Sequence, residues 1–127
     1  VGAVGVDIHK NAREIDCKYA LDTTTGVEIL LADVPYLKER RYIEGDFDAA
    51  VILADLEKAF EIAAKGNIRE ALTAKQRRML ELYHIEGYNL REIGEMYGVS
   101  HQRIDWILSV AIERLTKVFR DWDYGEL

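Results

Sequence analysis

The residues best equipped for chemistry lie in one short block, Ser100-His101-Gln102-Arg103-Ile104-Asp105-Trp106, with Ser109 shortly after it and Arg91 shortly before. Their chemistry is recognition. A glutamine amide matches the donor and acceptor edge of adenine, an arginine fork matches guanine or a phosphate, and a histidine donates to either. A second basic group, Lys75, Arg77 and Arg78, lies upstream and suits phosphate contact. Bond-breaking chemistry has little support. His9, His84 and His101 are scattered, and His101 with Asp105 one helical turn later reads as an exposed hydrogen-bonded pair rather than a metal or acid-base site. Glu81 and His84 share a face without further ligands nearby in sequence, and Cys17 sits in no nucleophile motif. Thr23 to Thr25 read as turn chemistry. The expectation is a protein that is not an enzyme and uses no cofactor or metal.

The spacing around the block predicts a helix-turn-helix over residues 89–107. Asn89 can cap the first helix, with Glu92 as the reciprocal partner of a capping box. Gly98 can take the left-handed conformation that ends that helix, and Ser100 supplies the cap of the next. Ile93, Tyr97, Val99, Ile104 and Ile107 are expected between the two helices, and Gly94 is the small residue at their closest approach. An ordinary amphipathic hairpin shows apolar periodicity, but it does not need the small residue, the turn glycine and the second cap together.

Upstream, Thr73 and Gln76 form a second capping box for a helix running to about Glu86, its buried stripe expected at Leu72, Met79, Leu80 and Tyr83. The last helix runs from Ser100 to about Trp122, with Ile104, Leu108, Ala111, Leu115, Val118, Phe119 and Trp122 along one stripe. At about 100° per residue, Gln102, Trp106, Ser109, Val110, Glu113 and Lys117 point away from it. A tryptophan on that side either contacts a partner or is covered by the amino-terminal segment.

Leu72-Thr73-Ala74-Lys75-Gln76-Arg77-Arg78, Leu80, Glu81-Leu82-Tyr83, Glu86-Gly87-Tyr88, Arg91-Glu92-Ile93-Gly94, Gly98-Val99-Ser100 and Arg103-Ile104 together resemble region 4 of the sigma-70 family of transcription factors. The likeness is closest to small sigma-like proteins of phages and prophages, and extends to Arg41-Tyr42-Ile43-Glu44-Gly45-Asp46 and the helix after it. It implies that the helix after Ser100 enters the major groove while the preceding helix crosses the backbone. It also implies that residues aligned with His101, Gln102 and Asp105 include those reading the promoter element upstream of the start site, and that the domain docks on the flap of RNA polymerase. This chain departs from the pattern at Asp105, where the family has a basic residue, and at Trp106, where it has a polar one.

A chain of 127 residues suits one domain, or a small domain with an appendage. The single cysteine cannot form an internal disulfide, and no apolar run approaches the roughly 20 residues of a membrane span. No signal-peptide pattern appears at Val1, so a soluble, cytoplasmic protein is expected. The net charge of −6 weighs against a protein that coats nucleic acid by charge alone. The distribution is uneven. Most of the negative excess lies before Gly66, whereas residues 69–120 carry nine basic against seven acidic side chains, so the carboxy-terminal part is the one suited to phosphate.

In the first part of the chain, Ile15, Cys17, Tyr19 and Leu21 alternate with Asp16, Lys18 and Ala20. The Asp22-to-Gly26 cluster then punctuates, and Val27-Glu28-Ile29-Leu30-Leu31 follows. That predicts a β-hairpin, with helix for both segments as the competing reading. Pro35 is expected to mark a break, and Lys38-Glu39-Arg40-Arg41 reads as a solvated face. From Asp46 to Lys65 a broad apolar stripe, Phe47, Ala50, Val51, Leu53, Ala54, Leu56, Phe60, Ala63 and Ala64, predicts a helix covered on more than one side. It is either the spine of the core, packed on the helices beginning at Thr73 and Ser100, or the contact of a homodimer.

The expectation is therefore a mainly α protein, residues 1–44 forming an amino-terminal segment and residues 45–127 a helical domain with the helix-turn-helix. With the resemblance, it is expected to be a sequence-specific regulator of transcription that binds double-stranded DNA, encoded by a phage or prophage. The DNA-facing set is Lys75, Arg77, Arg78, Arg91, Ser100, His101, Gln102, Arg103, Asp105, Trp106 and Ser109. Two other readings stay open: a module that binds RNA polymerase or another protein without reading DNA, and a small terminase-like DNA-packaging subunit.

Overall fold

The computed structural model describes residues 19–66 and 70–123, which form helices joined by short turns. In order these are α1 (Thr24–Ile43), α2 (Phe47–Ala64), α3 (Ala74–Leu80), α4 (Leu90–Tyr97) and α5 (His101–Asp123). α3 runs on as a π-helical turn over Glu81–Ile85. One hydrophobic cluster takes residues from all five helices and from Tyr19 and Leu21.

α1 overturns the expected hairpin. Val27 to Leu31, its second arm, are helical, while Ile15 to Lys18 of the first arm lie outside the described residues. The threonine cluster starts this helix rather than turning a hairpin, because the Gly26 amide donates to Thr23 Oγ1 at 3.0 Å. Val27, Leu30, Leu31, Val34 and Leu37 are buried at the 3, 1, 3 and 3 spacing of one helical face, which outweighs the short alternation read upstream. Pro35 does not break the helix. It stands on the exposed side between buried Val34 and Leu37, so its ring displaces no core side chain and the helix runs on with one backbone donor fewer.

The turn from α1 to α2 is fixed by Asp46, whose carboxylate accepts the Ala49 amide at 3.1 Å and pairs with Arg40. The Ala49 amide, then Arg40, hold that carboxyl below the usual aspartate range. α2 buries Ala49, Leu56, Ala59, Phe60 and Ala63. It packs on α5 as expected, but its other cover is α1, and its link to α3 consists chiefly of polar contacts. Phe47, expected in the stripe, is 72% exposed at the first turn of α2.

At α3 the capping box is present, with Gln76 N–H donating to Thr73 Oγ1 at 3.1 Å and Thr73 N–H to Gln76 Oε1 at 3.2 Å. In the π turn the Glu86 amide reaches back to the Glu81 carbonyl at 2.9 Å. Leu82 is buried here and Tyr83 is left at the edge, because α1 covers this turn on a side that a single-stripe reading did not allow for. No helix among the described residues is long and apolar enough to cross a membrane.

Candidate nucleic-acid interface

α4 and α5 meet as the caps dictate. The Glu92 amide donates to Asn89 Oδ1 at 2.8 Å and the Asn89 amide to Glu92 Oε1 at 3.0 Å, which satisfies two donors at the start of α4. Gly98 closes the helix with φ 70° and ψ 31°, a conformation that costs glycine nothing, and the Arg103 amide donates to Ser100 Oγ at 3.2 Å to open α5. Between the helices, a β-carbon on Gly94 would meet the Val99 carbonyl oxygen at 2.6 Å. Ile93 and Ile104 are fully buried and Tyr97 and Ile107 partly so, but Val99 is exposed, its backbone rather than its side chain filling the angle.

This angle presents the first turns of α5 outward. Gln102, Arg103, Asp105, Trp106 and Ser109 are exposed, His101 partly so, and Ser100 stands at the cap. Trp106 is 56% exposed. The Arg103 guanidinium carbon lies 4.9 Å from the centre of its ring, within cation–π range. Ser109 Oγ donates to the Asp105 carbonyl at 3.0 Å, leaving the Asp105 carboxylate outward. The expected pairing of His101 with Asp105 is absent among the described contacts, because exposed partners at that spacing gain too little over water to hold one geometry.

The upstream cations divide. Lys75 is exposed, with its ammonium 5.3 Å from the Tyr97 ring centre, beside the end of α4. Arg91 is exposed on the first turn of α4. Arg77 instead turns to α2: it pairs with Glu57 at 2.8 Å and Glu81 at 3.4 Å, and its guanidinium lies 4.3 Å from the Phe60 ring centre. The hydrogen bond to Arg77 holds the Glu57 carboxyl below its usual range. Arg78 pairs with Glu86 and, at 3.5 Å, with Glu81. On α4, the first turns of α5 and the start of α3, the exposed cations Lys75, Arg91 and Arg103 stand among exposed Glu92, Glu95 and Asp105.

Arg114 has a positioning role that the sequence did not suggest. From α5 it donates to the Ala71 carbonyl at 2.9 Å and to Gln76 Oε1 at 3.0 Å, tying α5 to the entry of α3 across 43 and 38 residues. No local spacing signals such a contact. Groups of three or more residues able to hold a metal ion are absent among the described residues.

Residues 70–117 match the family described as Sigma-70, region 4. The RNA polymerase sigma factor FliA of Pseudomonas aeruginosa is 37% identical over 67 residues, 53% of this chain and 27% of that protein. UPF0122 protein OB1530 of Oceanobacillus iheyensis is 47% identical over 36 residues, 28% of this chain and 34% of that protein. The chain thus spans about a third or less of the length of these relatives. No solved structure matches it.

Proposed function

With residues 70–117 forming a sigma-70 region 4-like helix-turn-helix, we propose that this chain is a sequence-specific DNA-binding regulator of transcription. The observation that carries the reading is the outward face of Gln102, Arg103, Asp105, Trp106 and Ser109, held at a fixed angle to α4 by the contact of Gly94 with Val99. On this reading the amino-terminal turns of α5 enter the major groove, and α4 crosses the backbone. Arg91 and Lys75 meet phosphates and set the register, Gln102 takes an adenine edge, and His101 and Ser100 stand at the groove wall. Asp105 accepts from cytosine and repels phosphate, so the preferred site differs from one read by a basic side chain there. Arg77 and Arg78, held by Glu57, Glu81 and Glu86, serve the fold more than the DNA.

We include a contact with RNA polymerase, because the relative FliA is named an RNA polymerase sigma factor. An origin in a phage or prophage rests on the likeness of Arg41 to Asp46 and the helix after it. The second reading, protein binding without DNA reading, draws on the acid at 105 and the exposed ring at 106. Selection of bound fragments from random double-stranded DNA tests the first against the second. An enriched site supports the regulator, and no enrichment at low salt supports the protein-binding module. Light scattering separates both from a packaging subunit, which would form a ring.

A further inference from the structure

Arg103 and Trp106 form a unit that neither residue type alone would suggest. Arg103 is exposed three positions into α5, and its guanidinium lies over the Trp106 ring at 4.9 Å. The other arginines whose contacts are described on α3 and α5 are held by acceptors: Arg77 and Arg78 by carboxylates, Arg114 by the Ala71 carbonyl and Gln76, and Arg120 by the Asp22 carbonyl at 2.8 Å. Arg77 also lies over a ring, that of Phe60, but is tied to carboxylates as well; Arg103 is described over a ring alone, although the Asp105 carboxylate stands close by in sequence. A guanidinium held over a ring differs from one held by an acceptor. The contact uses no carboxylate or carbonyl oxygen, so the fork stays available to another partner, and it restricts the rotation that a long side chain loses on binding.

We propose that Trp106 is a positioning residue for Arg103, presenting its fork edge-on to a guanine in the major groove, so that the chain's preference for that guanine depends on the aromatic ring at 106. This rests on the DNA-reading function proposed above and adds the base that is read and the device that reads it. Two acceptors of guanine, O6 and N7, match two parallel N–H donors of one plane, and a fixed plane gains more from that match than a swinging one. A phosphate takes the same fork bidentately but carries no base identity, so only a guanine contact makes sequence preference depend on the ring at 106.

The test is the affinity of the full chain for its selected site and for single-base variants of that site. It uses the wild type, Arg103→Ala, Arg103→Lys, Trp106→Ala, Trp106→Phe and the Arg103→Ala/Trp106→Ala pair. We expect Arg103→Ala to lose about tenfold or more of the discrimination at one guanine position. Trp106→Ala should relax that same position, Trp106→Phe should keep most of it, and the double variant should fall no further than Arg103→Ala alone. Arg103→Lys should keep general affinity but lose part of the guanine preference and its dependence on the ring at 106, because it has neither fork nor plane. The proposal is overturned if Trp106→Ala relaxes a different base, weakens all sequences alike, or adds its full effect to that of Arg103→Ala. A wild type that binds one site tightly without preferring guanine anywhere overturns it while leaving the regulator reading intact. A wild type with no sequence preference removes both.

Discussion

A β-carbon on Gly94 would lie 2.6 Å from the carbonyl oxygen of Val99, which makes this pair the closest constraint on the angle between α4 and α5. Replacing a glycine inside a helix by alanine ordinarily gains up to about 1 kcal/mol. Here the obstructing atom is backbone and cannot turn aside, and overpacking costs about 1–3 kcal/mol. We therefore expect Gly94→Ala to lower the denaturant midpoint at unchanged slope, and Gly94→Leu to lower it further. A Gly94→Ala variant more stable than wild type would show that the helices have room to separate.

Arg77 tests the division of the cations. It is 32% exposed in its side chain, pairs with Glu57 and Glu81, and covers Phe60. Arg77→Ala should destabilise the fold by about 1 kcal/mol, after allowance for the screening of a half-exposed pair, and leave DNA affinity of the folded protein unchanged. Loss of DNA affinity without loss of stability would return Arg77 to the phosphate-contacting set.

Salt dependence follows from the same division. If Lys75, Arg91 and at most one further cation reach phosphates, log affinity should fall with log salt at a slope of about −2 to −3, at roughly −0.9 per contact. Titration of binding against potassium chloride measures it, and a slope beyond about −8 would mean that many more cations engage.

The capping boxes, the turn glycine and the small residue at 94 were legible in the sequence because each is a local rule satisfied within a few residues: Thr73 with Gln76, Asn89 with Glu92, Gly98 before Ser100. α1 departs from the expected hairpin for a local reason too. Asp22 to Gly26 has the composition of a turn, yet Thr23 uses it as a cap, and the helical spacing of Val27, Leu30, Leu31, Val34 and Leu37 competes in the sequence with a short alternation and a proline. Arg77 with Glu57, and Arg114 with Ala71 and Gln76, depend on helices brought together from distant parts of the chain, and no spacing rule announces them. The exposure of Trp106 lay between: periodicity turned it away from the core stripe, but only the fold leaves it 56% open.

That exposure carries its own prediction. Trp106→Ala should change stability by no more than about 0.5 kcal/mol, as expected for an exposed side chain. A loss of about 3–5 kcal/mol in denaturant unfolding would instead show that the ring is buried in solution.

Stability should fall in two stages as pH is lowered. Burial in the π turn holds the His84 imidazole below its ordinary 6.5, so the folded state binds that proton less readily than the unfolded chain does. Its contribution is full above 6.5 and declines as pH falls below it towards the depressed folded value. The Asp46 and Glu57 carboxyls are held low by their partners, and their contribution is lost later, as pH falls below the ordinary carboxylate range. Asp55 opposes them, since burial raises its carboxyl and protonation there relieves a cost. Thermal unfolding against pH should lose its first decline in His84→Asn and keep the second. A first decline unchanged in that variant would assign it elsewhere.

The most direct measurement is selection of bound sequences from random double-stranded DNA, repeated with Gln102→Ala and Arg91→Ala. The wild type should enrich one site. Gln102→Ala should cost about 1–3 kcal/mol on that site and relax one base position, and Arg91→Ala should weaken every sequence alike while the motif survives. No enriched site at low salt, or an identical fall on selected and random DNA for both variants, would contradict the assignment of α5 to the major groove.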